Sequence, residues 1–567
     1  MATNATRFAR FVSYVATLSE EPALPASVRG PWNRASCIML LDVKARSGIA
    51  QAAALVTVLT TVSALLGFVR DVVIAGVFGA GGELDAYLVA QGLMNLVLAL
   101  VAGAMAKATV PVLAAQNSAE GVDGADHASK KAAHTLSVVL TVTLLVLGLG
   151  SLIMALAASS VVTVLAPGFK GAQAELAASL TRIVLIATVL ISGTNLLAAA
   201  AEAHRRFFWS AMQGVPFNLI MIVAAVVFGP RYGVYALAVG FVVGSAARLL
   251  CQFVPIRALG LRLRASWDLK DPGFRSIAKL IPPLLVGSAL GNANTMVDRA
   301  VGSMVGEGTI SALSYAWRII SLGQTLLVAS LLTALYPAFG AAAGSRDLEE
   351  MRRLVGRGLS TVATVLMPVW GFLMVCSVPL VALLFEHGSF TPSDTQRTAT
   401  AMLWYAPALL ALGWREMVVR ASYALGDSRR PVTVFIMAMS INVVGDFTLG
   451  LTFGIAGIAA STSLSVLFAA VANTWLLGRR HNAVDLRSLP LMVGRTAAAA
   501  AAGTAAGGIV YYLLGPVLGS GLINEALLVA AVGLTLLAVF IGGLYALRAP
   551  ERLLLGEAID VVARRRR

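Results

Sequence analysis

The chain has 567 residues, 58% of them hydrophobic and 13% charged, and a formal net charge of +15. An ordinary soluble chain is roughly 45 to 50% apolar and about 25% charged, so a soluble globular protein is excluded. Nucleic acid is not the expected partner of the positive charge, because the Lys and Arg residues sit in short loops between apolar runs and not on one amphipathic face.

Residues 1–46 are a basic N-terminal extension with prolines but without the apolar core of a secretory signal peptide. It is expected to lack ordered structure, and Met39 is an alternative start. Apolar runs of the length that spans a bilayer, about 20 residues, follow at 49–77, 83–115, 131–158, 175–201, 208–229, 232–255, 276–303, 309–340, 355–385, 397–424, 430–451, 454–478, 490–516 and 523–547. The expected fold is an all-α polytopic membrane protein of about fourteen transmembrane helices. Loops around Lys130-Lys131, Arg205-Arg206, 257–279, 346–357, Arg429-Arg430 and 479–487 are basic, as is the tail Arg564–Arg567, whereas the loops between them carry few positive charges. By the positive-inside rule both termini are cytoplasmic.

The chain also repeats itself. When Val69 is aligned with Val297, Arg70-Asp71 falls on Asp298-Arg299 and Tyr87 on Tyr315 without a gap, and the two segments are expected to end at Pro111 and Pro337. Farther on, Phe169 matches Phe390, and Arg206 and Asn218 match Arg430 and Asn442. The organisation read from this is a first six-helix lobe (47–257), a homologous second lobe (258–480), an appended helix pair (481–550) and a basic tail (551–567). Duplicated, glycine-interrupted membrane helices with a site between repeats are the pattern of a transporter. The Ala-rich run Thr496–Ala506 would permit close helix packing.

No catalytic constellation is present. The five histidines fall in or beside loops without an H-E-x-x-H pattern, and there is no Walker A motif. The three cysteines, Cys37, Cys251 and Cys376, are far apart and read as buried bystanders. No enzyme, metal or organic cofactor is therefore expected. The candidate site is the set of intramembrane charges: Arg70, Asp71, Asp85, Lys107, Asp298, Arg299, Arg318, Arg415, Glu416, Arg420 and Asp446. At a helix centre in lipid each costs about 2.5 to 3.5 kcal/mol, so they should face a protein-lined cavity. Neighbours such as Arg70 and Asp71 leave a helix about 100° apart and are not expected to neutralise each other side by side. Arginines in a low-dielectric cavity suit phosphate or pyrophosphate through bidentate contacts. Asp85, Asp298 and Asp446 read as sites for a coupling cation or as gates. Purely structural pairs, such as Arg318 with Asp85 or Asp298, are the alternative.

The stretches LLGFVRDVVIAGVFGAGGELDAYLVA, VDRAVGSMVGEGTISALSYAWRI, FEHGSFTPSDTQRTATAMLWYA and RASYALGDSRRPV resemble the MurJ/MviN family of lipid II flippases, within the multidrug/oligosaccharidyl-lipid/polysaccharide exporter superfamily. The resemblance covers about residues 50 to 550. It implies two lobes around a central cationic cavity and a groove towards the last two helices for a polyprenyl tail. At matching positions Arg70, Asp85 and Arg318 correspond to charged residues that the family uses in its cavity. The candidate substrate-binding set is thus Arg70, Asp85, Lys107, Arg299 and Arg318, and the gating or ion-coupling set Asp71, Asp298, Glu416 and Asp446. The chain departs from the family at Ala64, where an arginine is usual, at Val97-Leu98, where an arginine pair is usual, and around Ser321, where a carboxylate is usual; Lys107 is an addition.

The implied function is translocation of lipid II, the lipid-linked peptidoglycan precursor, to the outer leaflet of the bacterial cytoplasmic membrane by alternating access. An ion or the membrane potential would supply the coupling. Implied partners are a polyprenyl-pyrophosphate-linked glycan, the bilayer and the enzymes of cell-wall synthesis. The alternatives are an exporter of another polyprenyl-linked oligosaccharide, a cation-coupled drug antiporter, and a non-transporting scaffold.

Overall fold

The computed structural model describes residues 34–100, 102–118, 125–519 and 521–551. Expectations for residues 1–33 and for all of the basic tail except Glu551 lie outside them. Within them the first helix already begins at Arg34, inside the stretch expected to lack structure. Residues up to Leu55 form one unit and those from Val56 another.

The second unit is all-helical among the described residues. Apolar segments without water partners must satisfy their own backbone groups, and helices do so. The helices are α1 (Val56–Phe78), α2 (Gly82–Gln116), α3 (Ala125–Leu156), α4 (Ala172–Ala203), α5 (Phe207–Tyr232) and α6 (Val234–Ala258). They continue as α7 (Pro272–Val305), α8 (309–344), α9 (Leu348–Val375), α10 (Pro392–Ala424), α11 (Arg429–Phe453) and α12 (Ile455–His481). Last come α13 (Leu489–Leu518) and α14 (Leu522–Ala546). Each coincides with one of the apolar runs. Eleven are long and apolar enough to cross a membrane; the other three, α7, α8 and α10, carry Asp298, Arg299, Arg318, Arg415, Glu416 and Arg420.

Helix starts follow their sequences. Asp271 caps α7 by accepting from the Phe274 amide at 2.7 Å, with Pro272 in the first turn. Thr391 and Asp394 form a reciprocal capping box at α10. The prolines behave otherwise than expected: the helix containing Pro111 runs on to Ser118 and the one containing Pro337 to Gly344. A membrane helix tolerates an internal proline when its neighbours re-satisfy the freed carbonyl.

The packing repeats. Within the first six helices α2 packs on α4, α4 on α6, α5 on α6 and α3 on α4; six helices later α8 packs on α10, α10 on α12, α11 on α12 and α9 on α10. A π-helical turn interrupts both α5 (Ala224–Phe228) and α11 (Asp446–Gly450), just after the matched residues Asn218 and Asn442. The two sets meet where α2 packs on α7 and α8. An aromatic cluster joins them there: Tyr315 lies 5.0 Å from Phe385 and 5.7 Å from Phe390, and Phe68 of α1 lies 6.0 Å from Phe385. The appended α13 docks on α9, and α14 on α13. Cys376 is buried and Cys251 half-buried, both free thiols; the Cys37 side chain is outside the described set.

Candidate functional site

A cavity of about 690 Å³ opens between the two sets of helices. Its wall carries four arginines, Arg70, Arg299, Arg318 and Arg415, against two aspartates, Asp71 and Asp298. A surplus of one sign between low-dielectric walls concentrates the opposite sign, so the chamber attracts anions.

Asp71 organises one side of it. Arg70 donates to Asp71 Oδ1 through Nε at 2.9 Å and Nη2 at 2.7 Å, and Arg318 Nε, from α8, donates to Asp71 Oδ2. Two expectations are thereby corrected. Sequence neighbours do pair, here and at Arg415–Glu416 (2.9 Å), because the guanidinium stands far enough from the backbone to wrap around the 100° between adjacent positions. The carboxylate partner of Arg318 is Asp71, not Asp85 or Asp298. Arg70 Nη1 also donates to Asn218 Oδ1 of α5 at 3.0 Å.

The second half answers with acids. Asn442 Nδ2 donates to Asp446 Oδ2 at 2.9 Å and lies 3.5 Å from Asp298 Oδ1, and Ser461 donates to Asp446 Oδ1. The Asn442 amide thus stands between the Asp298 and Asp446 carboxylates. Asp298 faces the cavity, while Asp446 is fully buried behind it at the start of the α11 π-turn. Arg299, next in sequence, turns towards α2 and donates to the Leu88 carbonyl. Gly92 makes that approach possible, since a Cβ there would lie 1.7 Å from Arg299 Nη1.

Three candidates fall elsewhere. Asp85 is fully buried and does not line the cavity. Its carboxylate accepts from the amides of Gly308 and Ser311, both at 2.7 Å, and from the Ser311 hydroxyl at 2.5 Å, so it caps α8 from α2. The Gly-rich connection accommodates this: Gly308 has φ +77° and stands against the Ala80 carbonyl, where a Cβ would lie at 2.2 Å. Lys107 is exposed on α2, away from the cavity wall. Glu416 pairs with Arg415 and Arg420 along α10 and joins neither the cavity wall nor the Asp298–Asp446 cluster.

Residues 74–531 match the family described as Lipid II flippase MurJ. The chain belongs to that family. The lipid II flippase MurJ of Burkholderia cenocepacia is 30% identical over 74% of this chain and 81% of its own length. A probable lipid II flippase MurJ of Vibrio cholerae serotype O1 is 28% identical over 75% and 82%. Among solved structures, a lipid II flippase MurJ in an inward closed conformation superposes with a TM-score of 0.70 at 22% identity, covering 87% of this chain and 99% of that one. An inward-facing multidrug resistance MATE family transporter of the MOP superfamily gives 0.58 at 19% identity over 75% and 95%. At these identities the two structures share the fold.

Three cations inside apolar runs, Arg182, Arg248 and Arg495, escape the sequence reading. Arg248 lies inside the apolar run 232–255, and the rule that singled out the other charges, a charge within an apolar run, applies to it equally. It lines a second cavity of about 330 Å³ beside the first, together with Ala64, Arg70 and Arg318. Asn218 and Asn442 are legible in the sequence as repeat markers; their role as partners of Arg70 and of the acid pair needs the fold.

Proposed function

We propose that this chain carries lipid II across the bacterial cytoplasmic membrane, from inner to outer leaflet, by alternating access between its two six-helix sets. Membership of the MurJ family gives the substrate, and the observation that carries the mechanism is the arginine surplus in a cavity to which both sets contribute. In this reading Arg70 and Arg318 hold the pyrophosphate by charge-assisted contacts, and Arg299 meets the rest of the substrate from the wall of the larger cavity. Asp71 is the gate: its carboxylate competes with the pyrophosphate for Arg70 and Arg318. Asp298, Asp446, Asn442 and Ser461 present oxygen ligands for a coupling cation, a donor set suited to a hard ion. Lobes at 47–257 and 258–480 move against each other, both termini face the cytoplasm, and α13 and α14 offer an apolar wall to the isoprenoid. The work is transport, with the enzymes of cell-wall synthesis as neighbours that make and consume the substrate.

The test is depletion of the protein in its own host, followed by measurement of which lipid-linked glycan accumulates on the inner leaflet. Lipid II should accumulate and peptidoglycan synthesis should stop. Accumulation of a different polyprenyl-linked oligosaccharide, with lipid II unchanged, would replace the substrate and keep the mechanism.

A further inference from the structure

Arg248 sits in the middle of a membrane helix, about 15 Å along α6 from its end at Ala258. Its guanidinium carbon stands 4.8 Å from the centroid of the Phe217 ring, and that of Arg70 stands 5.7 Å from the same centroid. The ring face offsets part of the charge, yet the two guanidiniums act on each other as like charges. Arg248 Nε is buried and has no hydrogen-bond acceptor. An orphaned, charged donor at this depth is unfavourable unless something outside the chain answers it.

The second cavity shows what would answer it. Its wall holds three arginines, Arg70, Arg248 and Arg318, with no carboxylate, and adds the polar side chains of Ser63, Asn218 and Ser321. With Asp71 counted beside them, the surplus is two positive charges. At about 330 Å³ it is at the small end of ligand pockets, roughly 300 to 1,000 Å³. That is room for a compact anion and not for a glycopeptide head group. It shares Arg70, Arg318 and Ser321 with the 690 Å³ cavity, so one molecule can place a small anionic group here and a larger one there.

We propose that this pocket seats the pyrophosphate of the lipid-linked substrate, and that Arg248 is its third guanidinium contact. A pyrophosphate diester carries two negative charges, matching the surplus, and offers Arg248 Nε the missing acceptor. This rests on the lipid-linked reading of the cavity but assigns a residue that the reading does not require.

Full-length protein in nanodiscs is titrated with farnesyl pyrophosphate, with inorganic pyrophosphate, and with farnesol as the control without phosphate. Wild type should bind farnesyl pyrophosphate and, more weakly, inorganic pyrophosphate. Arg248→Gln should weaken both at least about tenfold while the melting temperature without ligand stays near wild type, and Arg248→Lys should recover only part because the planar fork is lost. Ala64 faces the same pocket, so Ala64→Arg in the Arg248→Gln background should restore affinity by returning a guanidinium from α1. Unchanged affinity in Arg248→Gln, or equal binding of farnesol, overturns the assignment. So does a fall in melting temperature in Arg248→Gln and Arg248→Lys alike without a change in affinity, which would make Arg248 a packing element. Lipid II accumulation on depletion stands apart from all of these, so the assignment can fail while the transport reading holds.

Discussion

One carboxylate, Asp71, is shared by two guanidiniums, so the Arg70–Asp71–Arg318 group keeps a net positive charge and each arginine keeps donors to spare. Arg318 is the more exposed of the two, with its side chain 38% accessible against 15% for Arg70. It is therefore the one placed to exchange Asp71 for substrate. Arg318→Ala should abolish complementation of a depleted strain while membrane abundance stays near normal, and Arg318→Lys should retain part of the activity. A hydrogen bond to a charged group contributes about 1.5 to 3 kcal/mol, so affinity should fall by roughly ten- to a hundredfold. The double variant with Asp71→Ala separates the two roles: a structural pair would regain function when both partners go, and a substrate contact would not. The charged residues were legible because a charge within an apolar run must find protein or water. Which of them meet was not legible: Arg70 reaches its own neighbour, while Asp85, equally conspicuous in sequence, turns away to a helix end.

Helix α8 begins on a side chain from α2. Asp85 supplies the oxygens that the first amides of α8 need, and a carboxylate also suits the positive end of a helix dipole. The same end of the molecule is tied by Ser389 N to the Gly76 carbonyl at 2.7 Å, by Tyr315 Oη to the Gly79 carbonyl, and by Arg397 to the Glu307 carbonyl. Asp85→Ala removes three acceptor contacts and leaves two amides unsatisfied, so the closure at this end should loosen. A cysteine placed in the cavity by Ser314→Cys should then react with a membrane-impermeant thiol reagent added outside several-fold faster in the Asp85→Ala background than without it. Equal rates would mean that Asp85 stabilises the fold without holding the halves together. At this scale the sequence was informative about every apolar run and poor about interruptions. Pro111 and Pro337 look like stops but sit inside helices, and the π-turns at Ala224–Phe228 and Asp446–Gly450 carry no compositional mark because they change backbone winding, not polarity.

In the whole molecule the appended pair is attached through small residues, as the Ala-rich run suggested. Ala499 and Ala500 pack with Phe540 and Leu544, and Gly371 of α9 is so close to α13 that a Cβ would stand 2.0 Å from Thr504 Oγ1. Their outer faces leave Ile509, Leu513, Val517 and Ile523 exposed. Truncation before Leu489 should yield a membrane-inserted twelve-helix core that transports lipid II poorly, measured by complementation and by membrane abundance; full activity would reduce the pair to packing. The duplicated core carries a subtler consequence. The pair reads Arg-Asp in α1 and Asp-Arg in α7, so the position facing the matched asparagine is a cation in one half and an acid in the other. An asparagine amide serves both, accepting from Arg70 through its oxygen and offering its NH₂ to Asp298. The two halves thus set opposite charges against the same kind of side chain. A recombination that copied the α1 pair into α7 would conserve every residue type, yet it would set a guanidinium beside Asp446 where an acid now stands and erase the polarity that distinguishes the halves.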